Sequence, residues 1–396
     1  MQLDPTGKQN THPISVQHSF DRRTLLKTAA TALGAAWVSG NLSAAEAKRD
    51  KQAPAVRTVL GPVAPEKLGV TLMHEHAPIV EWSELYEAPP GPVEPVREAM
   101  LAKTAEFLDK FHKSASTYGT GAAIVECTPI RTGRYPHLMI ELARRTPVQI
   151  IACTGFWCEA AAPMHPWAVA LAGQRDGVKR IAELYIKEIT EGMEDPAGKW
   201  GEKFTNIKAG MIKCATSEYL RPNERRCHEA AAIASRETGC PITTHTTRGG
   251  GLEEAQVLLK HGALPAKICI GHQGDKDDRK TPEANEYHRQ IAALGCNVQF
   301  DRVGLSGSYS AEKIAREIKH LVDAGHVKQV LVGHDLVPYF YSDYTAAKKN
   351  AEGWKVENCD FTIVTTKLTK ALTDLGVSDQ DIRTILIENP RRVLAF

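Results

Sequence analysis

The residues of this chain that could do chemistry are spaced as strands would space them. "MHEH" sets His74 and His76 two apart. Residues i and i+2 of an extended strand share a face, so both imidazoles can look one way while Glu75 looks the other. Two imidazoles on one strand make a clamp for a divalent cation. "AGMIKCATSE" places Lys213 inside a short apolar run, between Ile212 and Cys214, where an ammonium group is costly to bury unless it is paired or chemically changed. His245 closes "PITTH", His272 follows "ICIG", and Asp335 follows "QVLVGH". A neutral lysine amine can take up carbon dioxide as a carbamate, an anionic ligand with two oxygens. His74, His76 and Asp335 can then hold one cation and His245 with His272 a second, the carbamate of Lys213 and a hydroxide bridging them. Such a pair lowers the pKa of a bridging water and polarises a substrate oxygen. These ligand types accept zinc, the metal expected here, and also cobalt, manganese or iron.

The elements that must position these groups follow from hydrophobic patterning. Short β-rich runs at 70–73, 122–127, 148–154, 211–215, 242–245, 268–271, 297–300 and 330–333 alternate with amphipathic stretches. That alternation implies parallel strands with right-handed crossovers. Eight units suggest a closed (β/α)8 TIM barrel of the α/β class. An open doubly wound sheet would carry a glycine-rich phosphate turn after its first strand, where this chain reads "MHEHAP". All six candidate ligands fall at the C-terminal ends of the strands, where barrels gather functional groups. Residues 54–66 are expected to form a hairpin or lid across the N-terminal end. The insert "DPAGKWGEKFTN" (195–206) precedes the fourth strand and is expected on the N-terminal face, away from the chemistry. Residues 336–360 follow the eighth strand and carry Tyr339, Phe340, Tyr341, Tyr344 and Trp354. They are expected either to overhang the site as an apolar lid or to pack their own loop.

The chain has 396 residues, 42% of them hydrophobic, and a formal charge of +2, so it can bury a large core and lacks the basic excess of a nucleic-acid binder. No apolar run in its body has the length of a membrane span, so stable membrane insertion is not expected. The N-terminus differs. Arg22-Arg23 precede an apolar stretch at 25–38 and small residues ending Ala45-Glu46-Ala47. This is the layout of a twin-arginine signal over 1–47. It predicts recognition by the twin-arginine export machinery, a periplasmic destination and a single catalytic domain over 54–396. Nine cysteines, an odd number without CxxC spacing, argue against a disulfide framework.

"GVTLMHEH" (69–76), "AGMIKCAT" (209–216), "PITTHT", "CIGHQGDKDD" and "ILIENPRRVL" (385–394) together resemble the phosphotriesterase family of the amidohydrolase superfamily, in family order from about Arg57 onward. The resemblance implies a TIM barrel, a binuclear metal centre, hydrolase activity and a homodimer. It makes His74, His76, Lys213 (as N6-carboxylysine), His245, His272 and Asp335 the metal ligands, with Asp335 also accepting a proton from the attacking hydroxide. Asp275 matches an aspartate of the triesterase proton relay. The relay histidine after the seventh strand is replaced in "QFDRVGLSG" by Asp301 and Arg302, and an arginine keeps its charge and shuttles no proton. "DRVGL" is similar to the lactonase branch. Trp157, in "CTGFWCE", matches an aromatic position of both branches and could line the leaving-group or acyl pocket. Trp157, Arg302 and Asp275 are thus the substrate-binding candidates. The expected substrate is a small lactone or other carboxyl ester, with phosphotriester hydrolysis as a primary or side activity. The alternatives are a dedicated organophosphate phosphotriesterase (aryldialkylphosphatase), a mononuclear amidohydrolase or deaminase without the bridging lysine, and a ligand-binding barrel without turnover.

Overall fold

Each short apolar run becomes a strand, and each amphipathic stretch covers the outside of the sheet those strands build. The computed structural model describes residues 53–77, 79–80, 96–157, 164–247, 249–274, 281–305, 309–338, 340–341 and 360–396. In chain order the strands are Val56–Thr58 (β1), Gly61–Val63 (β2), Val70–Glu75 (β3), Ile79–Val80 (β4), Ala122–Glu126 (β5), Gln149–Gly155 (β6), Met211–Ala215 (β7), Ile242–His245 (β8), Ile268–Ile270 (β9), Asn297–Phe300 (β10), Val330–Val332 (β11) and Phe340–Tyr341 (β12). One eight-stranded sheet runs β3-β5-β6-β7-β8-β9-β10-β11, every neighbouring pair parallel. Its two ends meet just beyond β11, where the Asp335 amide donates to the His74 carbonyl (3.0 Å) and the His76 amide to the Leu336 carbonyl (3.1 Å). The result is the expected (β/α)8 barrel, with strand limits within a residue or two of the sequence reading. A seven-residue helix at Pro166–Ala172 was not anticipated.

Strand alternation sorts the core into two layers. Ile124, Ile150, Ile212, Ile242, Ile268, Val298, Val330 and Val332 face the surrounding helices. Met73, Val125, Ile151, Cys153, Met211, Cys269 and Leu331 form a second apolar cluster with Val56, Leu68, Val393 and Leu394. The hairpin β1–β2 and the last helix, Asn389–Leu394, thereby plug the N-terminal end of the barrel. The first barrel strand slips register against β5 between Leu72 and Glu75. Such a local irregularity re-aims side chains. Met73 joins the interior cluster, and the next residue, His74, reaches the interior as well.

The insert before β7 departs from expectation. It rises to the connections that follow the second and third barrel strands. Buried Glu194 accepts from Arg131 Nε (2.8 Å), Arg131 Nη2 donates to the Gly198 carbonyl (2.8 Å), and Trp200 packs edge-on to His165 at 4.6 Å. A Cβ on Gly201 would meet the Trp167 ring at 2.8 Å. A loop of a dozen residues is long enough to climb the height of a short-stranded barrel, so position in the chain did not decide position on the barrel.

Of the segment after the eighth strand, Tyr339, Tyr344 and Trp354 lie outside the described residues, as do residues 1–47. Phe340 and Tyr341 form β12, which pairs in parallel with β4 and ties the connection after the eighth strand to that after the first. Seven cysteines among the described residues are buried and take part in no disulfide, and no helix among those residues is long and apolar enough to cross a membrane.

Gly155 ends β6 at a φ of +120°, opposite Lys213 in the ladder. A Cβ there would lie 1.9 Å from the Lys213 carbonyl oxygen. Gly155→Ala is therefore expected to destabilise the protein by about 3 kcal/mol or more, through backbone strain and displacement of β7. Chemical denaturation of the purified variant measures this.

Candidate metal centre

Seven side chains from the C-terminal ends of six strands converge on one small volume. His74 Nε2 lies 2.8 Å from Lys213 Nζ. Asp335 Oδ1 lies 3.2 Å from His76 Nε2 and 3.5 Å from His74 Nε2. Its other oxygen is 3.8 Å from His272 Nε2 and accepts from Arg302 Nε at 3.0 Å. His272 Nε2 stands 2.6 Å from His245 Nδ1. The ligand atoms of His74, His76 and Asp335 all fall within 4.8 Å of one another. All six expected ligands are thus brought together. Trp157 packs its ring 4.6 Å from His245, forming one wall. Asp275 lies outside the described residues.

The imidazoles are aimed by buried acceptors on their far sides. Asp301 bridges two of them, accepting from His74 Nδ1 through one oxygen and His272 Nδ1 through the other, each at 2.8 Å. It also accepts the His272 amide (2.9 Å) and Gln299 Nε2 (2.6 Å). His76 Nδ1 donates to the Thr128 hydroxyl (2.9 Å), which donates in turn to Glu126. With Nδ1 protonated, each ring turns an Nε2 lone pair inward. His74, His272 and Asp301 could also be grouped as a metal-binding set by proximity. Asp301, however, occupies the Nδ1 side of both rings at hydrogen-bond length, an arrangement that orients the two imidazoles.

Charge in the site follows the same pattern. Burial lowers the His76 and His272 imidazoles to about 4, and burial followed by the neighbouring His272 holds His245 well below its ordinary value. Burial alone would raise the Asp335 carboxyl, but His272, His76, His74 and Arg302 hold it well below the usual range. Burial thus favours the neutral form of His76, His245 and His272, while Asp335 favours its ionised form. Facing lone pairs 2.6 Å apart, as on His245 and His272, repel unless a cation or proton lies between them. Neutral imidazole nitrogens with carboxylate oxygens suit a divalent ion such as zinc, so the residues present fit a metal.

Two of the groups sit on unusual backbone. His272 and Asp335 both have φ +54°, in the left-handed region, which turns each side chain off its strand and into the site. The sequence named the candidate ligands that the structure brings together but assigned no task to Asp301, Gln299, Thr128 or Glu126. Asp301 carried one signal, since with Gln299 it occupies the inward parity of the seventh strand.

A (β/α)8 barrel with a histidine, aspartate and lysine cluster at the strand C-termini defines a metal-dependent hydrolase of the amidohydrolase kind. The chain matches the phosphotriesterase family over residues 54–394 and belongs to it. It is 30% identical over 346 residues to the phospho-furanose lactonase of Mycoplasmopsis synoviae, covering 86% of this chain and 91% of that one. Identity to the aryldialkylphosphatase of Saccharolobus solfataricus is 27% over 336 residues, covering 82% and 94%. The fold superposes on a mutant of the organophosphorus hydrolase from Deinococcus radiodurans with a TM-score of 0.70, 29% identity and coverage of 86% and 97%.

Asp301→Asn leaves one oxygen to accept and introduces an amide that donates. One imidazole must then present an Nδ1 lone pair outward and an Nε2–H inward, losing its ligand atom. Metal retention is expected to weaken about 10- to 100-fold, measured by zinc competition with a chromophoric chelator while circular dichroism confirms an unchanged fold.

Proposed function

We propose that this chain is a binuclear metal-dependent hydrolase whose substrate is a small lactone or related carboxyl ester, with phosphotriesters as side substrates. The observation that carries the reading is the convergence of Lys213, three inward Nε2 atoms and His245 Nδ1 around the Asp335 carboxylate. His74, His76 and Asp335 would hold one ion, His245 and His272 the other, and Lys213, carboxylated on Nζ, would serve both. Zinc is the proposed metal. When bound, such ions supply an activated water and polarise the carbonyl oxygen of the substrate.

The chain's own residues supply the rest. Asp335, ionised at neutral pH, is placed to accept the proton of the attacking water. Arg302 holds one oxygen of Asp335 and cannot take the proton onward. The proton therefore passes from Asp335 to the leaving alkoxide or to solvent. Trp157, against His245, offers an apolar wall for the acyl or leaving group. The lactone preference is supported by Arg302, in "DRVGL", and by similarity to a phospho-furanose lactonase. The second reading, a dedicated phosphotriesterase, is supported by similarity to an aryldialkylphosphatase. We further propose a homodimer, exported by the twin-arginine route to the periplasm, with residues 1–47 removed on export.

In zinc-reconstituted protein, kcat/KM for a panel of lactones is expected to exceed that for dialkyl aryl phosphates by an order of magnitude; the reverse order identifies the dedicated phosphotriesterase. Lys213→Ala is expected to lose both ions and leave activity down by about 10³-fold. Lys213→Glu, which restores a carboxylate, should keep a measurable fraction of both. Undiminished turnover and metal content in the alanine variant would remove the carbamate. Fractionation of cells producing the full chain should find a form shortened by about 47 residues in the periplasm.

A further inference from the structure

Glu75 separates the two histidines of "HEH" and points away from the metal cluster, yet it is fully buried. Its carboxylate crosses the seam where the first and eighth barrel strands meet. One oxygen accepts from the His334 amide (2.8 Å) and from His334 Nδ1 (2.9 Å). The other accepts from the Leu336 amide (3.1 Å). These are the amides on either side of Asp335. The intervening Asp335 amide donates instead to the His74 carbonyl at 3.0 Å, and Asp335 itself has φ +54°. That backbone is uncommon outside glycine, and aspartate is among the residues that tolerate it when local hydrogen bonds support the turn.

His334 extends the contact. With Nδ1 donating to Glu75, its Nε2 accepts the amide of Val364 at 3.2 Å. Val364 begins the helical segment Val364–Leu368, where the chain returns from the connection after the eighth strand. Both nitrogens of a fully buried ring are therefore used on the protein side, and neither faces the cluster.

We propose that Glu75 is a positioning residue for Asp335, fastening the backbone on both sides of that ligand to the strand that carries His74 and His76. This rests on the reading of Asp335 as a metal ligand. The backbone of Glu75 spaces two ligands of one ion, and its side chain fixes the turn that delivers the third. Its action falls on the His74–His76–Asp335 site. The pair His245 and His272 is held by other strands and, at His272, by Asp301.

The test uses full-length protein reconstituted with zinc alone and compares wild type, Glu75→Gln and Glu75→Leu. The glutamine side chain keeps one acceptor and loses the other, and the apolar leucine loses both. Metal content by elemental analysis and zinc release to a chelator are followed, with circular dichroism and melting temperature as controls for folding. The expected result is biphasic release from Glu75→Gln, one ion leaving about tenfold faster than in wild type and one at the wild-type rate, with kcat lowered more than KM is raised. Glu75→Leu, where it folds, should retain one ion per chain. Wild-type release of both ions from Glu75→Gln overturns the proposal. Equal acceleration of both ions also overturns it, because that pattern marks a generally loosened barrel. A wild-type chain that binds no zinc overturns the metal-site reading itself, and the inference with it.

Discussion

One buried carboxylate organises this site. Asp301 accepts from His74 through one oxygen and from His272 through the other, and those histidines stand at the first and sixth barrel strands. An imidazole has two nitrogens, and whichever is protonated cannot bind a cation. By accepting both Nδ1 protons, Asp301 leaves both Nε2 lone pairs facing inward. Gln299 and the His272 amide satisfy Asp301 further. A buried charge is tolerable when it accepts several hydrogen bonds in this way.

The backbone accommodates this arrangement at a cost. His272 and Asp335 occupy left-handed conformations that disfavour residues with a Cβ by about 1–2 kcal/mol each. A regular strand cannot present every other side chain inward and also turn its last residue toward a common point. At both positions a buried acid stands behind the turn, Asp301 at His272 and Glu75 at Asp335. The strain is thus met by hydrogen bonds that form only when the barrel closes.

The pocket wall is supported from further away. Trp157 faces His245, while its neighbour Phe156 faces the opposite side and packs against Trp167 and Tyr185. Trp167 in turn abuts Gly201 of the insert. A segment that chain order places near the bottom of the barrel is therefore continuous in packing with the wall of the site. Interiors pack densely enough to transmit such contacts, which makes the insert relevant to pocket shape.

Much was legible in the sequence because it depends on local periodicity. Alternating apolar runs and helices gave eight parallel strands, and each of the six candidate ligands was readable from its place in or just after a strand or, for the HEH pair, from its i, i+2 spacing. What the sequence could not supply were pairings between residues far apart in the chain. Asp301 lies 227 residues from His74, and Glu75 lies 259 from His334. Neither hydrogen bond has a periodic signature, since each exists only after barrel closure brings distant strands side by side. The same holds for the register slip in β3 and the climb of the insert. Local pattern determined which groups could do chemistry; tertiary packing alone decided which nitrogen each imidazole turns toward the centre, because that choice is made by an acceptor on another strand.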